Sequence, residues 1–180
     1  MRKLAIIFCL VAGMAISAAA QSKTGMGEQN GDVYFGWTHL TGDVGKNGWN
    51  ASASYNFARN WGLEGDVAGY YGKRSLLFLT ESQDQYSFMA GPKYMFDVND
   101  QRFTPFAHFL IGVAHVGADT NVGINNGDTS LAWALGGGVD WNFNQHWGAR
   151  AKFDAFHTSF FKNGDLHARY GLGVLYKWGR

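Results

Sequence analysis

This chain of 180 residues is poor in charge, in proline, in cysteine and in long apolar runs, and each shortage excludes something. Charged residues make up 16% of it, against roughly 25% in an ordinary soluble domain. The formal net charge is +1 with no Lys/Arg cluster, so the electrostatic footprint of a nucleic-acid binder is missing and no nucleic-acid partner is expected. There are only 2 Pro, and aromatics reach 16%, a composition opposite to that of a disordered chain. The one cysteine, Cys9, falls in a segment with the marks of a secretory signal peptide. Arg2 and Lys3 form its basic start, Leu4 to Ile16 its apolar run, and Ala18-Ala19-Ala20 its small-residue cleavage site. Residues 1–20 are therefore expected to be removed before Gln21, leaving 13 basic and 14 acidic residues and no thiol. That excludes a disulfide, a cysteine nucleophile and a thiolate metal site. Past residue 20 there is no second long apolar run, which excludes an α-helical membrane protein.

What is present is glycine, 25 residues of it, and a hydrophobic period of two rather than 3.6. Trp49, Ala51, Ala53, Tyr55 and Phe57 alternate with Asn50, Ser52, Ser54 and Asn56. Similar alternation predicts strands at 32–40, 49–57, 61–71, 84–96, 103–116, 130–143, 147–157 and 166–178. Several exceed the usual strand length and suit a tilted membrane-spanning strand of ~9–11 residues. A polar, Gly-rich leader at 21–31 precedes this domain of 32–178. Connections at 58–60, 97–102 and 144–146 are short, whereas those at 41–48, 72–83, 117–129 and 158–165 are mostly longer and richer in Gly, Asn and Asp. Short turns on one side and longer loops on the other describe a bacterial outer-membrane barrel. One short repeat supports it: Asn56-Phe57-x-x-x-Trp61-Gly62 recurs as Asn142-Phe143-x-x-x-Trp147-Gly148, each time across a short turn.

Alternation alone does not say which face is outside, and a soluble lipocalin-type barrel would turn the apolar face inward. The charges favour the opposite. The apolar parity, from Val33, Phe35 and Trp37 through Phe109 and Ile111 to Leu172, Val174 and Tyr176, holds no Asp, Glu, Lys or Arg. A lipid-facing band requires this, because a Lys or Arg at the bilayer midplane costs about 2–4 kcal/mol. Aromatics gather near the short turns, at Phe57, Trp61, Phe96, Phe103, Trp141, Phe143, Trp147, Tyr176 and Trp178, where an interfacial girdle would lie.

The other parity is mostly Ser, Asn, Thr, Gly and Ala. It also carries Glu64, Asp66, Lys93, His108, Asp140, Arg150, Lys152 and Asp154, with Arg169 and Lys177 beyond them. Charges of both signs in an eight-stranded interior, just wide enough for side chains, point to a network that plugs the lumen. The alternative is a gated polar pathway. Arg150 is expected to pair with Glu64 or Asp140, and Gly136 and Gly138 to leave room for bulky neighbours such as Tyr70 or Phe106.

Several segments carry a resemblance to a known family. They are Gly62-Leu63-Glu64 followed by Gly69-Tyr70-Tyr71-Gly72; Gly91-Pro92-Lys93; Phe103-Thr104-Pro105-Phe106-Ala107-His108; and Ala134-Leu135-Gly136-Gly137-Gly138-Val139-Asp140. In order and spacing they resemble the OmpA/OmpX-like outer-membrane β-barrel domain, in its short form without a peptidoglycan-binding domain. The resemblance implies an all-β fold, an eight-stranded antiparallel up-and-down transmembrane β-barrel in the bacterial outer membrane. It also implies contact with outer-membrane lipid and lipopolysaccharide, and a last strand, Tyr170 to Trp178, read by the barrel-assembly machinery during insertion. A monomer is expected. Pro92 needs a bulge or a place close to the short-turn rim, because Pro cannot donate to a ladder.

The function expected is that of a structural or surface-interaction protein whose loops meet an extracellular ligand. Loop 72–83, with Lys73, Arg74, Leu76, Leu77, Phe78 and Leu79, and Phe160-Phe161-Lys162 would supply the surface, the alternative being that the upper strands extend into these segments and bury them against lipopolysaccharide. Two alternatives stay open, a narrow channel and an enzyme. His157-x-Ser159 with Asp165 is reminiscent of lipid A deacylases, in which a His activates a Ser and a carboxylate orients the imidazole. The six His show no metal-ligand spacing and Gly136-Gly137-Gly138 opens no helix, so neither a metal nor a cofactor is expected.

Overall fold

The computed structural model describes residues 30–42, 45–76, 79–96, 102–120, 125–159 and 165–179, with the side chains of all of them except 73–76, 79–83, 118–120, 125–126 and 165. The expected signal peptide and most of the leader fall outside these residues. Eight strands follow in order: β1 Gly31–Leu40, β2 Lys46–Asn56, β3 Trp61–Leu76, β4 Leu79–Met95, β5 Phe103–Thr120, β6 Asn125–Asn142, β7 Trp147–Thr158 and β8 Asp165–Trp178. Each pairs antiparallel with the next, and β1 pairs antiparallel with β8 from Gly31↔Trp178 to Leu40↔Arg169, which closes the barrel. Closure removes every sheet edge within the membrane, where an unpaired backbone group would cost several kcal/mol.

The apolar parity is outside. Phe35 is 64% exposed, Leu63 57%, Leu135 57% and Leu172 61%, while Tyr34, Leu110 and Leu175 on the other parity are buried. This excludes the lipocalin arrangement. A soluble protein does not show water an apolar surface running round its whole circumference. The expected girdle stands at the short-turn end, with Phe57, Trp61, Phe96, Phe103, Trp141, Phe143 and Trp147 all exposed.

The short-turn ends of the strands lie within one or two residues of expectation, as do the far ends of β1, β7 and β8, but the far ends of β2 to β6 do not. β3 and β4 continue through the expected loop 72–83 to the pair Leu76↔Leu79, and β5 and β6 continue to Asp119↔Asn125. β1 and β2 stop at Leu40↔Lys46, and β7 and β8 at Thr158↔Asp165. Strands of 16 to 18 residues outrun the ~9–11 needed to cross a bilayer, so β3–β6 raise one wall of the barrel above the other. The side chains of 73–83 and all of Phe160-Phe161-Lys162 lie outside the described residues.

Pro92 needs no bulge. β4 and β5 hold one register from Ala90↔Ile111 to Lys93↔His108, and the ladder skips only Gly91 and Pro92, three residues or so from the short-turn end. The sequence repeat is a structural one. Phe57 N and Ala58 N donate to Trp61 O, as Phe143 N and Asn144 N donate to Trp147 O. Trp61 meets Tyr94 edge-on with ring centroids 5.0 Å apart, and Trp147 meets Tyr176 in the same way at the same distance.

Candidate functional site

Every inward position is a lumen position, so the strand register decides which side chains meet. All eight expected network residues, Glu64, Asp66, Lys93, His108, Asp140, Arg150, Lys152 and Asp154, are buried on the inner wall. Asp32, Arg169 and Lys177 join them, which sets five carboxylates against five Lys or Arg side chains and one imidazole. They form two tiers.

The tier nearer the short turns is built on Asp140 and Asp32. Arg150 forks onto Asp140, directly opposite in register, with Nε to Oδ1 at 2.7 Å and Nη2 to Oδ2 at 3.0 Å. Its Nη2 also lies 3.0 Å from Asp32 Oδ1, and Lys93 Nζ and Ser54 Oγ donate to Asp32 Oδ2 at 2.8 and 2.6 Å. Lys177 adds a looser contact to Asp140 at 3.6 Å. Of the two expected partners of Arg150, Asp140 holds the ion pair; Glu64 does not.

The second tier spans the lumen. His108 on β5 places Nδ1 3.0 Å from Glu64 Oε2 and Nε2 2.7 Å from Asp154 Oδ1, bridging β3 to β7. A carboxylate only accepts, so both contacts are satisfied when both ring nitrogens donate. Asp154 continues to Arg169 Nε at 2.7 Å, and Arg169 Nη1 to Asp66 at 2.8 Å. Asp66 also receives Lys152 Nζ at 2.7 Å and Asn50 Nδ2 at 2.9 Å.

Aromatic rings separate and cap the tiers. Phe106 lies under Arg150 and Lys93, with the cations 4.6 and 4.9 Å from its centroid. Tyr34 is shared by Arg150 and Lys152. Above them Leu40, Ala68, Tyr70, Met89, Leu110, Ala114, Ala132, Ala134 and Phe156 form a buried apolar cap. Glycine makes the space. A Cβ on Gly138 would come within 2.9 Å of Phe106 Cζ, as expected. At Gly136 it would collide with the Asp154 carboxylate rather than with Tyr70.

Asp32 is the acid missing from the expected set, although its signal was present: it immediately precedes outward Val33 and so shares the parity of Tyr34. The expected deacylase-like group is not drawn together by the register. His157 faces Leu166 and Asp165 faces Thr158, so they occupy adjacent rows. Asp165 opens β8 rather than lying in a loop, and its side chain is outside the described residues. The His157 imidazole stacks on Trp133 at 5.2 Å, and Ser159 is exposed. Among the described residues no cluster of His, Cys, Asp and Glu is arranged to hold a metal ion.

A closed antiparallel barrel with an apolar exterior, an aromatic girdle and a sealed ionic interior is an outer-membrane β-barrel. Residues 6–177 match the outer membrane protein beta-barrel domain, and the chain belongs to that family. Among solved structures it is similar to the Neisserial surface protein A, NspA, at 14% identity and a TM-score of 0.66, over 84% of this chain and 97% of that one. It is also similar to Ail, the attachment invasion locus protein of Yersinia pestis, at 19% identity and a TM-score of 0.59, over 86% and 100% of the two chains. The N-terminal β-barrel domain of Pseudomonas aeruginosa OprF follows at 16% identity and a TM-score of 0.53, over 83% and 98%. These likenesses are of fold. A comparison with curated protein sequences finds no match.

Proposed function

We propose that this protein is a non-conducting outer-membrane scaffold that acts by surface interaction, through the end of the barrel that carries the raised wall. The observation that carries the reading is the lumen itself: two tiers of ion pairs, separated by Phe106 and Tyr34 and capped by apolar side chains, tie β1, β3, β4, β5, β6, β7 and β8 together. An interior filled in this way stiffens the wall and leaves the rim as the part that differs from a bare membrane anchor. At eight strands side chains fill the interior, and here they do so with charges of both signs in nearly equal number.

Planar-bilayer recording of the folded barrel tests the first half: no unitary conductance is expected, and steady openings of the unaltered protein would replace the scaffold by the channel. The second half is tested by retention on immobilised polyanions. Ail has been solved with the heparin analogue sucrose octasulfate, which makes that compound the first probe. Binding lost when the 73–83 hairpin tip is shortened would support the surface role. A change in lipid A acylation that depends on Ser159 would instead support the enzyme.

A further inference from the structure

The two repeated hairpins differ at all three turn positions, Ala58-Arg59-Asn60 against Asn144-Gln145-His146, and the second set lines a recess. In the β2–β3 turn the residue before the Trp is Asn60, whose Nδ2 donates to Met95 O at 2.7 Å. In the β6–β7 turn it is His146, whose ring stacks over Tyr176 at 6.1 Å and 21°. The backbone is otherwise equivalent: Met95 N donates to Asn60 O at 2.8 Å, and Lys177 N to His146 O at 2.7 Å. Around His146 the surface hollows into a shallow, open groove of about 470 Å³ lined by Asn144, Gln145, His146, Trp147 and Tyr176. The turn is pre-organised, since Asn144 Oδ1 accepts from both His146 N and Trp147 N.

We infer that this groove is a binding site for the zwitterionic headgroup of a phosphoethanolamine lipid in the leaflet on the short-turn side. Position supplies the first argument. The groove opens between the girdle residues Trp147 and Tyr176, at the depth where such rings meet headgroups, so a lipid headgroup is the molecule held against it at high local concentration. Chemistry supplies the second. Three ring systems, His146, Trp147 and Tyr176, converge on one recess, and faces of Trp and Tyr attract an ammonium group at close range. The remaining lining groups, the amides of Asn144 and Gln145, donate to phosphate oxygen without a compensating charge, which suits a headgroup of no net charge better than an anionic one. The β2–β3 hairpin has the Trp–Tyr pair of a girdle, Trp61 with Tyr94, and the β6–β7 hairpin adds to that pair a histidine stacked on its Tyr.

The test is a titration of the folded barrel in detergent micelles with dihexanoyl phosphatidylethanolamine and, separately, dihexanoyl phosphatidylglycerol, read by NMR at the Gln145 amide and the Trp147 indole N–H. Saturable shifts confined to 144–147, with the ethanolamine lipid binding at least fivefold tighter, are expected. His146→Asn, which installs the residue of the other hairpin, should fold normally and weaken that binding about fivefold. Equal shifts at 58–61, equal affinity for the two lipids, or no loss in His146→Asn would overturn the assignment. Soluble O-phosphoethanolamine should reproduce the shifts at higher concentration; inorganic phosphate doing so equally well would make the groove an anion site and overturn it too.

Discussion

Arg150 on β7 and Asp140 on β6 stand directly opposite in the ladder and are joined by two parallel contacts, Nε to Oδ1 and Nη2 to Oδ2. The planar fork fixes both side chains and leaves Nη2 able to reach Asp32 across the barrel seam. Lysine cannot reproduce this geometry. Arg150→Ala would leave two buried carboxylates short of a cation, and losing one partner of a buried pair costs about 3–5 kcal/mol. Urea unfolding in lipid vesicles, followed by tryptophan fluorescence, should show a loss of that size. Arg150→Lys should give a smaller loss. A wild-type midpoint in both variants would mean that the lower tier contributes no stability.

His108 makes a different prediction because it holds two carboxylates at once. In His108→Leu, Glu64 and Asp154 lose their shared donor while both stay buried, and about 3 kcal/mol or more of stability should disappear. Adding Glu64→Gln to that variant removes one of the stranded charges, so the double variant should be more stable than His108→Leu alone. Strict additivity of the two single losses in the same unfolding assay would contradict a direct bridge.

How much of this was legible depends on whether a residue alternates against hydrocarbon. Within the bilayer one face must be apolar, so Val33, Phe109 and Val174 announce their side, and parity then places Glu64, His108 and Arg150 opposite. Above the bilayer both faces of a strand are wet and the period-2 signal fades. That is why β3–β4 and β5–β6 run four or five residues past expectation through polar and mixed sequence. Partner choice inside the lumen was not legible either. Parity puts Arg150, Asp140 and Glu64 on one wall, but only the stagger of the closed barrel sets Arg150 against Asp140 and Asp32 and leaves Glu64 to His108.

Two glycines separate space from mere flexibility. A Cβ on Gly65, on the outward face of β3, would meet nothing within 4 Å, whereas one on Gly138 would collide with the Ala151 carbonyl and press on Phe106 Cζ. Glycine inside a strand weakens it, so Gly65→Ala should be neutral or stabilising by up to about 1 kcal/mol. Gly138→Ala overfills a finished lumen and should cost about 1–3 kcal/mol. If the two variants unfold alike, the lumen has slack that its close packing denies.

The exterior can be tested by depth. Leu135 lies seven residues above the short-turn end of β6 and Leu166 at the opposite end of β8; they are 57% and 63% exposed. Exposure alone would make Arg equally tolerable at both. If hydrocarbon covers the middle of this surface, Leu135→Arg should cost about 2–4 kcal/mol, while Leu166→Arg, near the headgroups, should cost about 0–1 kcal/mol. The comparison belongs in vesicles, with the same pair repeated in detergent, where the gap should narrow because a micelle deforms around a charge more readily than a bilayer does. Equal costs in vesicles would mean that the charge-free band is not where the membrane sits.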